Sequence, residues 1–262
     1  MTRVVTQVNV YESIRLSRAR DLLYLCNYKS ACTTLLLCMA RREKELGLID
    51  LEPDADSVHV DDIFKILDFS LAHPRPFTFS FVKNPYARAL SAYLDKIHPC
   101  TGETRALFCK RYQLDPSSAI SFSDYLRLIQ QTPACEQDVH WRAQANNLML
   151  GGLEIDFVGH VECFDEDFAS LASQTGLGAD AASVRAGMRH GTSARLRLAE
   201  FYGAREVALV NEIYEEDFRA FGYRHDPGVL APSRRGLRFE ITDPILHDFI
   251  AAVGLRRPVP SA

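Results

Sequence analysis

Two short apolar runs, each leading directly into a helix pattern, constrain the fold of this chain more than any other feature. The first covers residues 22–26, and a helix pattern over 33–46 follows it until Gly47. The second covers residues 77–82 and has a proline on each side. Runs of this length between turn residues are typical of buried strands. Strands that alternate with helices predict an α/β fold with a central, mainly parallel sheet flanked by helices, which binds ligands at the carboxyl ends of its strands.

Other elements follow the same alternation. Residues 155–159 predict a third strand, and residues 4–10 alternate weakly, as an edge strand does. Asn84 is a suitable N-cap for a helix that begins at Pro85 and ends before Pro99. Further helices are predicted over residues 122–131, 164–174 and 197–221.

The chain is long enough to bury one large core, so we expect residues 1–224 to form a single domain. Residues 225–262 read as a Pro- and Arg-rich linker followed by an amphipathic tail that packs on the same domain. The apolar residues of that tail fall on one side: Ile245, Leu246, Phe249, Ile250 and Val253.

Composition argues against several classes of protein. Hydrophobic residues make up 47% and charged residues 24% of the 262 residues, as in ordinary globular proteins. The net charge of −4 provides no overall basic field for nucleic acid. No apolar run approaches the roughly 18 residues of a membrane span. Because the N terminus lacks a signal-peptide pattern and the seven cysteines show no tight pairing, we expect a cytoplasmic protein.

The turn after the first predicted strand is suited to hold an anion. It reads Asn27-Tyr28-Lys29-Ser30-Ala31-Cys32-Thr33-Thr34. The first amides of a helix have no intrahelical partner and lie at the positive end of its dipole, so a phosphate placed there gains N–H bonds. Lys29, Thr33 and Thr34 can add side-chain contacts. The turn lacks the glycine spacing of a Walker A loop, so it predicts a phosphate site but does not fit an ordinary kinase or ATPase.

A second anion site is predicted where the second strand meets its helix. Lys83 ends the strand, and Arg88 and Ser91 share one face of the helix. The alternative interpretation is that Arg88 pairs with Asp95 along the helix surface. Two anion sites at the ends of two strands suggest a ligand with two separated phosphates.

The sequence gives little support for a metal site or for a nucleophilic cysteine. Spacings such as His-Glu-x-x-His or Cys-x-x-Cys are missing from the sequence, so we expect no metal. Cys32 lies near a helix N terminus and Lys29, which predicts a lowered thiol pKa and sensitivity to oxidation. We do not expect it to be a nucleophile, because no Cys-His pair follows from the spacing.

Five motifs, in order, resemble those of the Golgi-type carbohydrate sulfotransferases, which include the chondroitin and dermatan 4-O-, HNK-1 and heparan 2-O-sulfotransferases. They read Tyr28-Lys29-Ser30-Ala31-Cys32-Thr33-Thr34, Lys83-Asn84-Pro85-x-x-Arg88-x-x-Ser91-x-Tyr93, His140-Trp141-Arg142-x-Gln144, Asp156-Phe157-Val158-Gly159-His160 and Ile213-Tyr214-x-x-Asp217-Phe218-x-x-Phe221-Gly222-Tyr223. The resemblance implies a P-loop-NTPase-like sulfotransferase fold. It also implies sulfuryl transfer from 3′-phosphoadenosine 5′-phosphosulfate (PAPS) to a hydroxyl group.

The resemblance also implies roles for individual residues. His140 becomes the general base and Lys29 stabilises the leaving 5′-phosphate. The 5′-phosphosulfate loop comprises Lys29, Ser30, Ala31, Cys32, Thr33 and Thr34. The 3′-phosphate is expected at Lys83, Ser91 and Arg88, beneath a closing loop with Thr192 and Ser193. The acceptor is expected near Trp141, Arg142 and His98, with a place in the core as the alternative for Trp141. His98 and His160 are the other candidate bases, with a structural or supporting role as their alternative.

The sequence departs from the family pattern at two positions. Lys83 replaces the usual arginine, so a planar two-bond contact with phosphate becomes a point-charge contact. Tyr28 replaces a proline, which leaves the loop less rigid or covers it with an aromatic ring. The missing membrane anchor favours a soluble, bacterial-style member.

Two other functions stay open at this point: a nucleotide-dependent small-molecule kinase and a catalytically inactive nucleotide-binding module. The acceptor class is equally open, with a saccharide or glycoconjugate expected and a smaller alcohol as the alternative. The sequence does not decide whether the chain forms a homo-oligomer.

Overall fold

The computed structural model describes residues 14–19, 21–50, 76–148, 155–178 and 193–233. A four-stranded sheet in the order β1-β2-β3-β4 forms its centre. The strands are β1 (Ile14–Leu16), β2 (Leu22–Leu25), β3 (Phe77–Val82) and β4 (Phe157–His160). β2, β3 and β4 run parallel, whereas β1 pairs antiparallel with β2. The described part of the chain is therefore an α/β fold with a mainly parallel sheet.

Helices follow the strands and cover both faces of the sheet. They are α1 (Cys32–Glu45), α2 (Pro85–Ala92), α3 (Glu103–Tyr112), α4 (Phe122–Gln130), α5 (Gln144–Asn147), α6 (Phe164–Thr175), α7 (Leu198–Phe201), α8 (Ala204–Ile213) and α9 (Glu215–Phe221). Helix α2 continues without interruption into a π-helical turn over Tyr93–Ile97. Because β2 leads into α1 and β3 into α2, two helix N termini lie at the carboxyl edge of the sheet.

Side-chain alternation along the strands produces two cores. Leu23 and Leu25 of β2 pack with α2 on one face of the sheet. Leu22 and Tyr24 point to the other face and pack with α1 and α6. Successive strand residues point to opposite faces, so a strand covered on both sides reads as a continuous apolar run. For this reason the short apolar runs in the sequence predicted buried strands.

Gly159 of β4 allows close contact between β4 and its neighbour. It pairs with Phe81 of β3, and a Cβ atom at this position would lie 2.4 Å from Phe81 Cε1. A side chain therefore fits there only if the Phe81 ring moves. The glycine of the Phe157-Val158-Gly159-His160 stretch is required by packing.

The structure confirms the predicted α/β class and three of the predicted strands, and it differs elsewhere. The antiparallel strand β1 and the helix α3 were not predicted. The predicted helix over 197–221 is three helices, with breaks at Gly203 and Tyr214. The predicted edge strand at 4–10 and the amphipathic tail lie outside the described residues.

Candidate active site

The loop between β2 and α1 has the backbone form of an anion cradle. Lys29 and Ala31 adopt left-handed φ angles of 69° and 64°. Ala31 is the N-cap of α1 and supplies no side-chain cap, and the first turn of the helix carries no acidic residue. Successive amides in such a turn point into a concavity, and the helix dipole adds positive potential there. Thr33 is exposed at this end, whereas Ser30 and Thr34 are buried.

Lys29 is held across the loop by an acidic residue. Its Nζ lies 3.0 Å from Asp95 Oδ2, and Lys96 pairs with the same oxygen at 3.1 Å. Burial by itself raises the pKa of Asp95, but the two lysines outweigh burial and keep that pKa below its ordinary value. Asp95 belongs to the π-helical turn after α2, a distortion that is frequent at functional sites.

Arg88 supports the loops through backbone contacts. The guanidinium is buried and donates from Nε to the carbonyl of Tyr28 at 3.1 Å. Its two terminal nitrogens donate to the carbonyls of Arg142 at 2.8 Å and Val139 at 3.0 Å. The sequence-based alternative, a pair with Asp95, is wrong, because Asp95 binds Lys29. The geometry favours a scaffolding role for Arg88 over direct phosphate contact.

Lys83 supplies a cation at the end of β3. Burial lowers the pKa of Lys83 to about 8, with the positive charges of Lys29 and Arg88 acting in the same direction and Glu162 opposing them. Glu162 also accepts the Asn84 backbone N–H at 2.9 Å. Asn84 accepts the Tyr86 N–H at 3.0 Å, which confirms it as the N-cap of α2. Ser91 is buried on the next turns of the same helix.

His140 forms a hydrogen-bonded pair with an acid that the sequence analysis missed. Its Nδ1 lies 2.6 Å from Asp138 Oδ1, and its backbone N–H donates to the same oxygen at 2.9 Å. Burial by itself raises the pKa of Asp138, but the contacts with His140 outweigh it and lower that pKa. An ionised carboxylate only accepts, so the tautomer of the neutral ring that fits this contact carries its proton on Nδ1 and leaves Nε2 as the acceptor. The Asp-x-His spacing was the available signal.

The histidine ring lies against the first loop. Its centroid is 4.8 Å from that of Tyr28, the residue directly before Lys29. The Tyr28 ring thus packs on His140, and the two expectations for Tyr28, a less rigid loop or an aromatic ring over the loop, stay predictions. The loop that carries Lys29 is therefore in direct contact with the candidate base, His140.

The predicted acceptor residues do not all face the site. Trp141 is buried and packs edge-on against Phe108 and Tyr125, so it belongs to the core. Arg142 is also buried, and its Nε donates to Asn147 at 2.8 Å. His98 is exposed at the end of the π-helical turn. The Trp141 ring thus packs in the core, and its place beside the acceptor stays a prediction.

Two further predictions concern His160 and the loop with Thr192 and Ser193. His160 is buried, with Nε2 3.2 Å from the carbonyl of Phe221, which agrees with a structural role. Ser193 has a left-handed φ of 49° and is the N-cap of a short 3₁₀ turn. Thr192 lies outside the described residues.

The thiol of Cys32 has a lower pKa than an ordinary cysteine. Burial raises its pKa, but hydrogen bonds with Cys26 and Tyr24 and the charge of Lys29 outweigh burial and lower the pKa, as the sequence predicted. Its Sγ lies 2.8 Å from the carbonyl of Asn27, which anchors the first turn of α1 to the loop.

A cavity of about 730 Å³ lies beside the start of α2. Its walls come from α7 and the chain after α9: Arg195, Leu196, Leu198, Ala199, Tyr202, Pro227, Gly228, Val229, Leu230 and Ala231. Asn84 Nδ2 donates to the carbonyl of Leu230 at 3.2 Å, and Tyr202 donates to that of Tyr86 at 2.8 Å. The cavity therefore adjoins the Lys83 loop and has the size of a small-molecule pocket.

Within the described ranges, no cluster of three or more His, Cys, Asp or Glu side chains could hold a metal ion. A search of the same residues found no helix with the length and hydropathy needed to cross a bilayer.

A mainly parallel sheet with two cationic loops at its carboxyl edge, and a histidine–aspartate pair against the first of them, is the arrangement of an α/β group-transfer enzyme. The family model described as the sulfotransferase family matches residues 13–224, which is most of the chain. The chain belongs to that family, which includes the Golgi-type carbohydrate sulfotransferases, and is a sulfotransferase. No curated protein and no solved structure matches it significantly.

Proposed function

We propose that this enzyme transfers the sulfuryl group of PAPS to an acceptor hydroxyl by in-line displacement, with His140 as the general base. The observation that carries the proposal is the Asp138–His140 pair, whose ring packs on Tyr28 directly before Lys29. A base for the acceptor and a cation for the leaving group thus lie on adjoining loops, as sulfuryl transfer requires.

Each residue has a defined part in the step. The bond between sulfur and the 5′-phosphate oxygen breaks while the bond between sulfur and the acceptor oxygen forms. His140 Nε2 accepts the hydroxyl proton, and a base positioned in this way contributes about 10²–10⁴-fold to the rate. Lys29 and the first amides of α1 stabilise the negative charge left on the 5′-phosphate.

The other end of the donor is assigned to the loop after β3. We assign the 3′-phosphate to Lys83 and Ser91, with Arg88 holding the surrounding carbonyls. The cavity beside the start of α2 has the size and the mainly apolar walls to receive the adenosine. Thr192 and Ser193 remain assigned to a loop that closes over the nucleotide.

For the acceptor we propose a hydroxyl on a carbohydrate or glycoconjugate, in keeping with the family. Of the three acceptor contacts proposed from the sequence, His98 is the exposed one. An acidic chain with a net charge of −4 favours a small or neutral acceptor over a highly anionic polymer.

The donor site is tested by calorimetric titration of adenosine 3′,5′-bisphosphate into wild type and Lys29→Ala, beside ATP with magnesium. We expect micromolar binding of the bisphosphate to wild type and binding at least tenfold weaker to the variant. Lys44→Ala, an exposed lysine at the far end of α1, is the matched control. Preference for ATP, or no binding, contradicts the assignment of the donor.

The base is tested by turnover with labelled donor and a panel of sugar and alcohol acceptors. His140→Ala should lower turnover at least a hundredfold while bisphosphate binding stays within about threefold of wild type. His225→Ala, which removes an exposed surface histidine, should change neither quantity. Full turnover of His140→Ala would refute the role of this residue.

A further inference from the structure

One buried side-chain amide, that of Gln144, contacts both cationic loops. Its Oε1 accepts from Asn27 Nδ2 at 2.9 Å and from Ser30 Oγ at 3.2 Å, both in the β2–α1 loop. The same oxygen accepts the backbone N–H of Lys83 at 2.8 Å, and Nε2 donates to the Lys83 carbonyl at 2.8 Å. The amide therefore binds both backbone groups of Lys83 while also holding the other loop.

Gln144 is itself fixed from behind by a carboxylate of α9. Asp217 Oδ2 accepts from the Gln144 backbone N–H at 2.9 Å and from its Nε2 at 3.2 Å, and Oδ1 accepts the Ala145 N–H at 2.8 Å. Both Gln144 and Asp217 are fully buried. Buried polar groups are costly unless satisfied, so the network has one low-energy arrangement.

We propose that Gln144 is a positioning residue that couples the two phosphate loops, so that binding of one phosphate group prepares the site for the other. This inference rests on the proposed donor. Gln144 opens α5, four residues after His140, so the same side chain ties the base-bearing segment to both loops. A glutamate carboxylate in the same place would only accept, and the Lys83 carbonyl would lose the donor that Gln144 Nε2 supplies.

The test compares three probes: adenosine 5′-monophosphate, adenosine 3′-monophosphate and adenosine 3′,5′-bisphosphate. The gain in affinity from each phosphate is measured against adenosine, and the two gains together predict an affinity for the bisphosphate. We expect wild type to bind the bisphosphate at least tenfold more tightly than this prediction, and we call this factor the excess affinity. In Gln144→Met this excess should disappear, although each monophosphate loses no more than about threefold. Turnover at saturating donor should fall as well, since the His140 segment loses its anchor.

Gln137→Met is the matched control. Gln137 is also buried on the same stretch of chain, and its Nε2 donates to the carbonyls of Ile129 and Thr132, away from the loops. It should change thermal stability but not the excess affinity. Equal effects of the two variants, or an unchanged excess in Gln144→Met, overturn the proposal.

A milder variant keeps the proposal testable if Gln144→Met does not fold. Asp217→Asn leaves Lys29, Lys83 and Gln144 in place and weakens only the support behind Gln144, so the excess affinity should fall about threefold. An Asp217→Asn protein with full excess would overturn the coupling even if Gln144→Met does not fold. Wild type that binds no bisphosphate at all would refute the donor assignment instead, and wild type that binds it without excess would refute the coupling alone.

Discussion

Lys83 is half-buried and Arg88 is buried beside the same site, and their surroundings suit them to different roles. Arg88 directs its nitrogens at three carbonyls and is fixed as part of the scaffold. Among the described residues, the acidic side chain that acts on Lys83 is Glu162, and burial lowers the pKa of Lys83 to about 8. A cation whose charge is poorly compensated is suited to meet an incoming anion.

The lowered pKa of Lys83 predicts a pH dependence of nucleotide binding. A lysine with a pKa of about 8 is charged below that pH, so the 3′-phosphate contact is present at pH 7 and weakens as pH rises above 8. The affinity for adenosine 3′,5′-bisphosphate should fall several-fold between pH 7 and 9.5 by calorimetry. Near pH 8.5 binding should take up protons, which makes the measured enthalpy depend on the buffer.

Lys83→Arg is the control, because arginine stays charged throughout this range. Its affinity should be nearly constant from pH 7 to 9.5. A wild-type affinity that is equally constant would show that Lys83 does not meet the phosphate.

Asp138 should matter for turnover more than for binding. Asp138→Asn keeps the shape but lets the amide donate to Nδ1, which favours the histidine tautomer that carries its proton on Nε2. We expect turnover to fall about a hundredfold or more, while bisphosphate affinity stays within about threefold. Asp124 is a surface carboxylate at the start of α4, and Asp124→Asn is the control, which should change neither turnover nor bisphosphate affinity. A fully active Asp138→Asn would exclude a tautomer-setting role.

At the scale of elements, the sequence predicted best the elements that have a continuous apolar run or a clear apolar stripe. β3 begins and ends as predicted, and α1 and α4 agree within one residue at each end. β1 has only three residues, too few to show alternation, and the apolar residues of α3 do not form a continuous stripe. The π-helical turn that carries Asp95 leaves no trace in the apolar pattern, so the Lys29–Asp95 pair could not be predicted from helix spacing.

The β3–β4 contact gives a prediction about stability. Gly159→Ala places a methyl group in the space of the Phe81 ring, and overpacking of this kind costs about 1–3 kcal/mol. The free energy of unfolding in urea should fall by that amount. Gly178→Ala is the control, because its Cβ would meet only the end of Glu45, at 3.9 Å. Equal stability of the two variants would show that the ring moves aside without cost.

At the scale of the molecule, the sequence predicted the parts of the candidate site but not the contacts that connect them. Lys29, Lys83 and His140 lie around one edge of the sheet, as the motifs suggested. The Asp138–His140 pair is local, whereas the carbonyl contacts of Arg88 and the network of Gln144 depend on residues far apart in the chain. Long-range contacts of this kind follow from packing, and no local pattern encodes them.

The Gln144–Asp217 contact also predicts how much chain the site requires. A chain that ends at Ile213 keeps both loops and His140 but lacks α9 and its carboxylate. We expect such a chain to lose bisphosphate binding measured by calorimetry. Addition of residues 214–233 should restore the binding. Undiminished binding by the shorter chain would contradict this expectation.

Asp217 contacts Gln144 across 73 residues of sequence. During synthesis the chain emerges from its N terminus, so both loops and the histidine are made well before the carboxylate that fixes their spacing. A nascent chain would therefore carry every reactive group of the enzyme without yet holding a nucleotide, and its competence would arise when the last described helix docks.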